Sequence, residues 1–295
     1  MIMAELRSFQ FADGDLDLLR WCYELRFATI DHFTALSKRH RPALARRIVR
    51  LVERGYLMRF VFPGQKHIYA IGKAAIPILV EQGIAPAEIL TARIRTTELK
   101  ELFIKHEQMI ADVHTTLLLA SRESTINLIA WKEGQELFDS VTVQEKGSRR
   151  RLPVRPDGFF ILQDTARPPD KNILPFFLEA DRSTTTHDRF MEKVKAYWEY
   201  LNQGLYTKKY NRKFFRVVTI TLTDERAANL AAEARDVLPA PAHRFFLFSS
   251  LKQFSLETPQ AILGDIFITP RDLDGHRARL VPPSSTPQQE SDNSL

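Results

Sequence analysis

Residues 41–71 read RPALARRIVRLVERGYLMRFVFPGQKHIYAI, and this stretch decides the fold of the first third of the chain. Leu44, Ile48 and Leu51 recur at the spacing of one helix face, whereas arginines occupy the opposite face. Two apolar runs then flank the turn signal Pro63-Gly64-Gln65-Lys66. The pattern predicts a helix followed at once by a β-hairpin.

Two further helices are predicted upstream of this stretch. The apolar spacing indicates a first helix over 15–27, and Thr29 can cap a second one. The polar segment 37–41 separates this second helix from the third, and Pro42 suits the first turn of a helix. Three helices and a hairpin in this order form a winged helix-turn-helix, which we place at residues 10–85.

Positive charge is concentrated on the same stretch. The net charge of the chain is +6, yet Lys38 to Arg59 alone carries eight basic side chains against one acidic one, Glu53. A compact basic block of this kind is typical of a surface that contacts phosphates, although an ordinary solvated helix face is the alternative. We predict that double-stranded DNA is bound by Arg41, Arg46, Arg47, Arg50 and Arg54 on the helix and by Lys66 on the hairpin. A second basic run, the next candidate for DNA contact, comprises Lys208, Lys209, Arg212, Lys213 and Arg216.

The length and composition indicate the number of domains and the cellular compartment. The chain has 295 residues, enough for two domains of ordinary size. Its single cysteine, Cys22, excludes an intramolecular disulfide and a zinc cluster built from cysteines, which favours a reducing compartment. The N-terminal segment 1–17 has neither the basic nor the apolar region of a signal peptide. We therefore predict a cytoplasmic protein without a membrane partner.

The pattern of apolar runs changes after a helical connector, which we place at residues 86–122. Short strand candidates then alternate with helical segments, which predicts an α/β or α+β domain with a mixed sheet at 123–275. The strand candidates are 126–131, 153–162, 174–181, 214–222 and 245–248, and the helical segments are 187–201 and 225–237. A tail at 281–295, rich in Pro, Ser and Gln, is predicted to be disordered.

Three carboxylates occupy this second domain at strand positions. Glu179 and Asp181 point to the same face because side chains alternate along a strand, and Asp157 converges on them if its strand is a neighbour. Hard oxygen ligands of this kind hold Mg²⁺, which keeps several waters for phosphodiester hydrolysis. The three acids are therefore candidate catalytic residues and metal ligands. The alternative is that they are surface acids paired with Arg155 and Arg182.

These residues resemble a known nuclease core. Pro156-Asp157, then Glu179-x-Asp181, then a helix bearing Lys193 and Tyr197, is similar to the PD-(D/E)xK nuclease-like core. With the preceding winged helix, residues 15–270 resemble the bacterial replication-relaxation family. The resemblance implies a restriction-endonuclease-like mixed-sheet domain, association with plasmids and other mobile elements, and a role in replication or DNA relaxation, with Mg²⁺ as the implied cofactor.

The nuclease pattern is not complete in this chain. Asp181 stands where the pattern has its lysine, the residue that offsets charge in the transition state. Lys193, on the following helix, is the candidate substitute. Tyr197 and Tyr200 could suggest a covalent tyrosine nucleophile, but their spacing within an amphipathic helix favours core packing.

Three classes of function remain open from the sequence. The first is a Mg²⁺-dependent DNA nickase or endonuclease of a mobile element. The second is a sequence-specific initiator or transcriptional regulator whose nuclease-like domain is inactive, and the third is a sensor whose second domain binds a ligand or partner. The protein partners considered for all three are a second copy of the chain and replication or mobilisation proteins.

Overall fold

The computed structural model describes residues 10–12, 14–94, 101–145, 147–183 and 186–283. The chain divides into two compact units, residues 1–115 and 116–295. The boundary falls within one long helix, Glu101–Ser121, in the segment predicted to be a connector. Among the described residues, no helix is both long and apolar enough to cross a membrane.

The first unit begins with three helices. They are α1 (Asp15–Glu24), α2 (Ile30–Ser37) and α3 (Arg41–Glu53). The backbone N–H of Thr29 donates to Nδ1 of His32 at 3.1 Å, which fixes the start of α2. Gly55 ends α3 with a φ of 72°, a conformation that favours glycine. Leu44, Ile48 and Leu51 are buried, as their spacing predicted.

A three-stranded antiparallel sheet completes this part of the first unit. Strand β1 (Ala28–Thr29) pairs with β3 (Ile68–Ile71), which pairs in turn with β2 (Leu57–Phe60). The predicted order, a third helix followed by a hairpin, is confirmed. The chain then forms three more helices, α4 (Ile76–Glu81), α5 (Ala87–Ile94) and α6 (Glu101–Ser121).

A five-stranded mixed sheet forms the centre of the second unit. Its strands lie in the order β10-β9-β8-β7-β4, where β8, β9 and β10 are parallel and the other pairs are antiparallel. Strands β5 and β6 form a separate antiparallel hairpin. The strands are β4 (Ile126–Lys132), β5 (Asp139–Glu145), β6 (Ser148–Val154), β7 (Gly158–Asp164), β8 (Ile173–Asp181), β9 (Arg216–Thr221) and β10 (Phe246–Ser250). A mixed α/β fold class is confirmed.

Helices cover one face of this sheet. Helices α7 (His187–Asn202) and α9 (Asp224–Val237) pack on it, and the short helix α8 (Leu205–Tyr210) follows α7. Paired phenylalanines bury both faces of the sheet. Phe159 contacts Phe177 on the helix-covered face, and Phe160 stacks on Phe176 on the other with ring centroids 4.9 Å apart.

Two expectations about the second half of the chain were wrong. The single strand predicted at 153–162 is two strands, β6 and β7, because the segment Arg155-Pro156-Asp157 interrupts the pairing. The tail does not begin at residue 281, since Val281 is buried and Arg167 donates to the carbonyl of Pro282. Residues 284–295 of the predicted tail lie outside the described residues.

Candidate functional site

Asp157 and Glu179 lie side by side on neighbouring strands. Gly158 of β7 is paired with Leu178 of β8, so extending the antiparallel register by one residue places Asp157 across from Glu179. Two hydrogen bonds hold this end of the pairing. The N–H of Asp157 donates to the carbonyl of Leu178 at 3.0 Å, and the N–H of Ala180 donates to Oδ2 of Asp157 at 2.8 Å. Asp157 and Glu179 are therefore neighbours at the end of the β7–β8 pairing.

Glu179 is buried with two partners from α7. Nζ of Lys193 donates to its Oε2 at 2.6 Å, and the hydroxyl of Tyr197 donates to its Oε1. Burial raises the pKa of the Glu179 carboxyl and Asp157 adds to the rise, whereas Lys193 and Tyr197 oppose it. Glu179 in turn raises the pKa of Lys193, which is therefore held as an ammonium. Three of the four predicted catalytic residues, Asp157, Glu179 and Lys193, thus lie near one another.

Asp181 faces the same side of the sheet but has a different partner. Nε of Arg226, on α9, donates to its Oδ2 at 2.8 Å, and the N–H of Ser183 donates to its Oδ1 at 3.3 Å. Both carboxylate oxygens are therefore engaged within the fold. Throughout the described part of the chain, no three His, Cys, Asp or Glu side chains are grouped so as to hold a metal ion. The geometry does not bring Asp181 into a three-carboxylate ligand set with Asp157 and Glu179.

The remaining pair still has the chemistry that Mg²⁺ requires. This cation binds through one or two carboxylates and retains several waters, so Asp157 and Glu179 form a sufficient donor set without Asp181. Both oxygens of Glu179 accept hydrogen bonds from Lys193 and Tyr197, and oxygen lone pairs accommodate a second contact. The residues fit Mg²⁺ as a two-carboxylate site with an adjacent ammonium.

The two tyrosines of α7 are part of the core. Tyr197 and Tyr200 are 2% and 0% exposed, and the hydroxyl of Tyr200 donates to Asp139 at 2.8 Å. Burial is the main cause that raises the pKa of each hydroxyl. A buried phenol with a raised pKa is a poor nucleophile, which agrees with the interpretation of these residues as packing residues.

An exposed basic face follows α3 in the first unit. Arg46, Arg50 and Arg54 are exposed, and among the described residues none of them pairs with a carboxylate. Val49, 44% exposed, lies between the first two. We call these four residues the α3 face. It combines free guanidinium groups with one apolar side chain on a helix flanked by a hairpin.

Arg47 does not belong to this face. Its Nε donates to Oδ1 of Asp15 at 2.8 Å, and its NH2 group donates to the carbonyl of Gln10 at 2.9 Å. The Asp15 side chain is fully buried, and the N–H of Ala12 also donates to it. Arg47 is therefore committed to joining α3 to the start of α1, which removes it from the predicted DNA contacts.

The remaining predicted DNA contacts share one carboxylate. Arg41, at the start of α3, and Lys66, in the hairpin turn, both form ion pairs with Asp31 of α2. Their side chains are 50% and 68% exposed, so each can exchange this pair for a phosphate at little cost. Asp31 positions the two cations on one side of the unit.

Two members of the second basic run donate to backbone carbonyls. Lys209 donates to the carbonyl of Phe138 at 3.1 Å, and Arg216 donates to the carbonyl of Leu280 at 3.1 Å. Arg216 is largely buried, and burial lowers its pKa. These two members of the run serve the packing of the second unit.

Sequence reasoning missed three partners of the predicted residues. Asp15, Asp31 and Arg226 are separated from Arg47, Arg41 and Asp181 by 32, 10 and 45 positions. Such distances in sequence leave no periodic signal. The sequence gives one hint that Asp15 and Arg47 pair. Asp15 has no obvious cation nearby, and Arg47 lies on the apolar side of its helical pattern.

Comparison with known proteins identifies a matching family. A family model described as replication-relaxation matches residues 19–218, about two thirds of the chain and parts of both units. No curated protein and no solved structure gives a significant match.

Proposed function

The chain belongs to the replication-relaxation family, and on this premise we propose that it is a DNA-binding protein that acts in the replication or relaxation of a plasmid or other mobile element. The first unit is proposed to be the winged helix-turn-helix that binds duplex DNA. The α3 face is the observation that carries this proposal.

Duplex DNA is the partner that fits the α3 face best. Guanidinium groups donate paired hydrogen bonds to phosphates and to guanine edges, and a helix of this kind fits the major groove. Arg46 and Arg50, one turn apart, point outward, while the buried residues of α3 point into the unit. Val49 between them supplies an apolar contact of the type that recognises a thymine methyl group.

The double variant Arg46→Gln, Arg50→Gln is expected to weaken binding of duplex DNA about 100-fold. Each arginine contributes a charge-assisted contact worth roughly a factor of ten. Fluorescence anisotropy with a labelled duplex selected for binding measures the loss. The slope of log affinity against log salt should also fall by about two in magnitude, because two phosphate contacts are removed.

A control variant removes one positive charge away from the α3 face. Arg20→Gln alters an exposed arginine of α1 whose partner is Glu24, one turn away, and should leave binding unchanged. Equal affinity of the Arg46, Arg50 double variant and the wild type would place the DNA surface elsewhere.

DNA nicking is a second candidate function, and the convergence of Asp157, Glu179 and Lys193 favours it. We propose that Asp157 and Glu179 hold Mg²⁺, which when bound would activate a water and neutralise charge on a phosphodiester. Tyr197 orients Glu179 through its hydroxyl. The Lys193 ammonium stays protonated beside Glu179 and is placed to offset charge that develops on the phosphate.

The competing interpretation is an initiator or regulator with an inactive second unit. It is favoured by the pairing of Asp181 with Arg226 and by the finding that no three acids among the described residues are grouped to hold a metal ion. Both interpretations share the DNA-binding first unit. They differ in whether Glu179 is needed for cleavage, and a cleavage assay with Glu179→Gln separates them.

A further inference from the structure

The second unit contains a hollow in which every titratable lining residue is basic. It measures about 520 Å³ and lies away from Asp157 and Glu179. Its lining residues are Arg235, Ala240, Pro241, His243, Arg244, Pro270 and Arg271. We call it the arginine hollow. Its volume is within the range of sites for small ligands.

The backbone around the arginine hollow is held in place. Arg235 lies in the last turn of α9, and Arg244 lies in the 3₁₀ turn Ala240–Phe245 that leads into β10. The ring of His243 is hydrogen-bonded to the carbonyl of Leu238 through Nε2 at 3.0 Å. Pro241 restricts the same turn. The guanidinium groups are thus carried by fixed elements, which lowers the entropy cost of binding a ligand.

Among the described residues, the arginines of this hollow lack the carboxylate partners that other arginines of the unit have. Arg226 is paired with Asp181, and Arg279 with Asp265. In the described part of the chain, none of Arg235, Arg244 and Arg271 forms an ion pair with a carboxylate. Like charges collected around one space repel each other unless an anion enters, so the hollow is an electrostatic site for an anion.

The positive field extends to the neighbouring strand. Burial lowers the pKa of Arg216, at the start of β9, and the nearby charges of Arg167 and Arg244 lower it further. Arg216 and Arg167 are fixed to the carbonyls of Leu280 and Pro282. Arg167 is also paired with Asp164, so Arg216 is the cation that adds to the positive potential of the hollow.

The position of the arginine hollow separates it from the carboxylate site. It lies at the end of the sheet where β9 and β10 begin, next to Phe246, which pairs with Val217. Glu179 lies across from Thr219, two positions further along β9 than Val217. Asp157, Glu179 and Lys193 are not among the residues that line the hollow. An anion in the hollow is therefore a separate ligand from one at Glu179.

We propose that the arginine hollow binds a phosphate group, carried either by a nucleotide or by the backbone of a nucleic-acid strand. Arginine presents several N–H donors in a plane and binds phosphate through paired hydrogen bonds, which suits three guanidinium groups around one anion. The inference is independent of the function proposed for α3 and for Glu179.

Isothermal titration calorimetry of the full chain tests whether the arginine hollow binds phosphate. The probes are inorganic phosphate, adenosine 5′-monophosphate and a hexathymidine strand. The single variants Arg235→Gln, Arg244→Gln and Arg271→Gln should each weaken binding of the responding probe about tenfold, since each loses a charge-assisted contact. Arg244→Lys should weaken it less, because the charge remains. Arg189→Gln, an exposed arginine of α7 outside the hollow, should have no effect.

The three probes identify the source of the phosphate. Arginine-dependent binding of phosphate or the mononucleotide supports a nucleotide site, and arginine-dependent binding of the strand alone supports a nucleic-acid backbone. Failure of all three probes to bind overturns the proposal, as does binding that the three hollow variants leave unchanged. An unaltered melting temperature of these variants shows that a loss of affinity reflects the lost contact, because all three side chains are exposed.

Discussion

Glu179→Gln is expected to reduce Mg²⁺-dependent nicking of supercoiled DNA by about 100- to 1000-fold, the cost of removing a charged group from a preorganised site. The substitution keeps the shape of the side chain, and its amide oxygen can still accept a hydrogen bond from Lys193 or Tyr197. What it removes is the negative charge that balances Lys193 and, as proposed, binds Mg²⁺. Asp157→Asn should have an effect of similar size.

The assay follows conversion of supercoiled to open-circular plasmid with Mg²⁺ or Mn²⁺, on DNA selected for binding by the wild type. Asp188→Asn provides the matched control, because this acid of α7 is exposed and lies outside the carboxylate site. Affinity for the same DNA should be unchanged in all three variants. A wild-type protein that binds this DNA but leaves it uncut with either cation would support the initiator or regulator instead.

The variant Lys193→Met tests the site of Asp157 and Glu179 independently, through the pH dependence of cleavage. Lys193 opposes the rise that burial causes in the pKa of Glu179, so its removal should raise that pKa further. If cleavage needs ionised Glu179, the acidic limb of the pH–rate profile moves to higher pH, since a higher pH is then needed to remove the proton. An acidic limb that does not move would show that Lys193 does not affect the ionisation of Glu179.

Periodicity was sufficient to predict the elements that bury a regular apolar face. Leu44, Ile48 and Leu51 predicted α3, and the apolar runs 174–181 and 245–248 predicted β8 and β10. The hairpin β5–β6 was missed because Ser148 to Arg151 in β6 are exposed and polar, so no alternation marks the strand. Its first strand was missed altogether, and its second was merged with β7.

The site was predictable where local geometry controls it and unpredictable where a distant partner does. Strand alternation placed Glu179 and Asp181 on one face, whereas the resemblance to the nuclease-like core pointed to Lys193 and Tyr197, which both donate to Glu179. Asp181 lies on the same face by the same alternation, but it pairs with Arg226 of α9. Competition between cations for one carboxylate depends on tertiary packing, which a single sequence does not encode as a local pattern.

Asp15→Asn is expected to lower the free energy of unfolding of the first unit by about 3 kcal/mol, because it removes the charge partner of a largely buried guanidinium. Asp15 accepts hydrogen bonds from Arg47 and from the N–H of Ala12, and its side chain is fully buried. Thermal and urea unfolding followed by circular dichroism measure the change. Asp17→Asn, an exposed acid in the same turn of α1, should change stability by less than about 0.5 kcal/mol.

Arg47→Met should be destabilising to a similar extent, because it leaves the buried carboxylate of Asp15 without its cation. The double variant Asp15→Leu, Arg47→Met should recover much of the loss, since it removes both charges together. At a temperature where it is folded, this double variant should bind DNA as the wild type does, in contrast to Arg46→Gln, Arg50→Gln. Weakened DNA binding by the folded double variant would show that Arg47 does contact DNA. Additive losses of stability would show that Asp15 and Arg47 act separately.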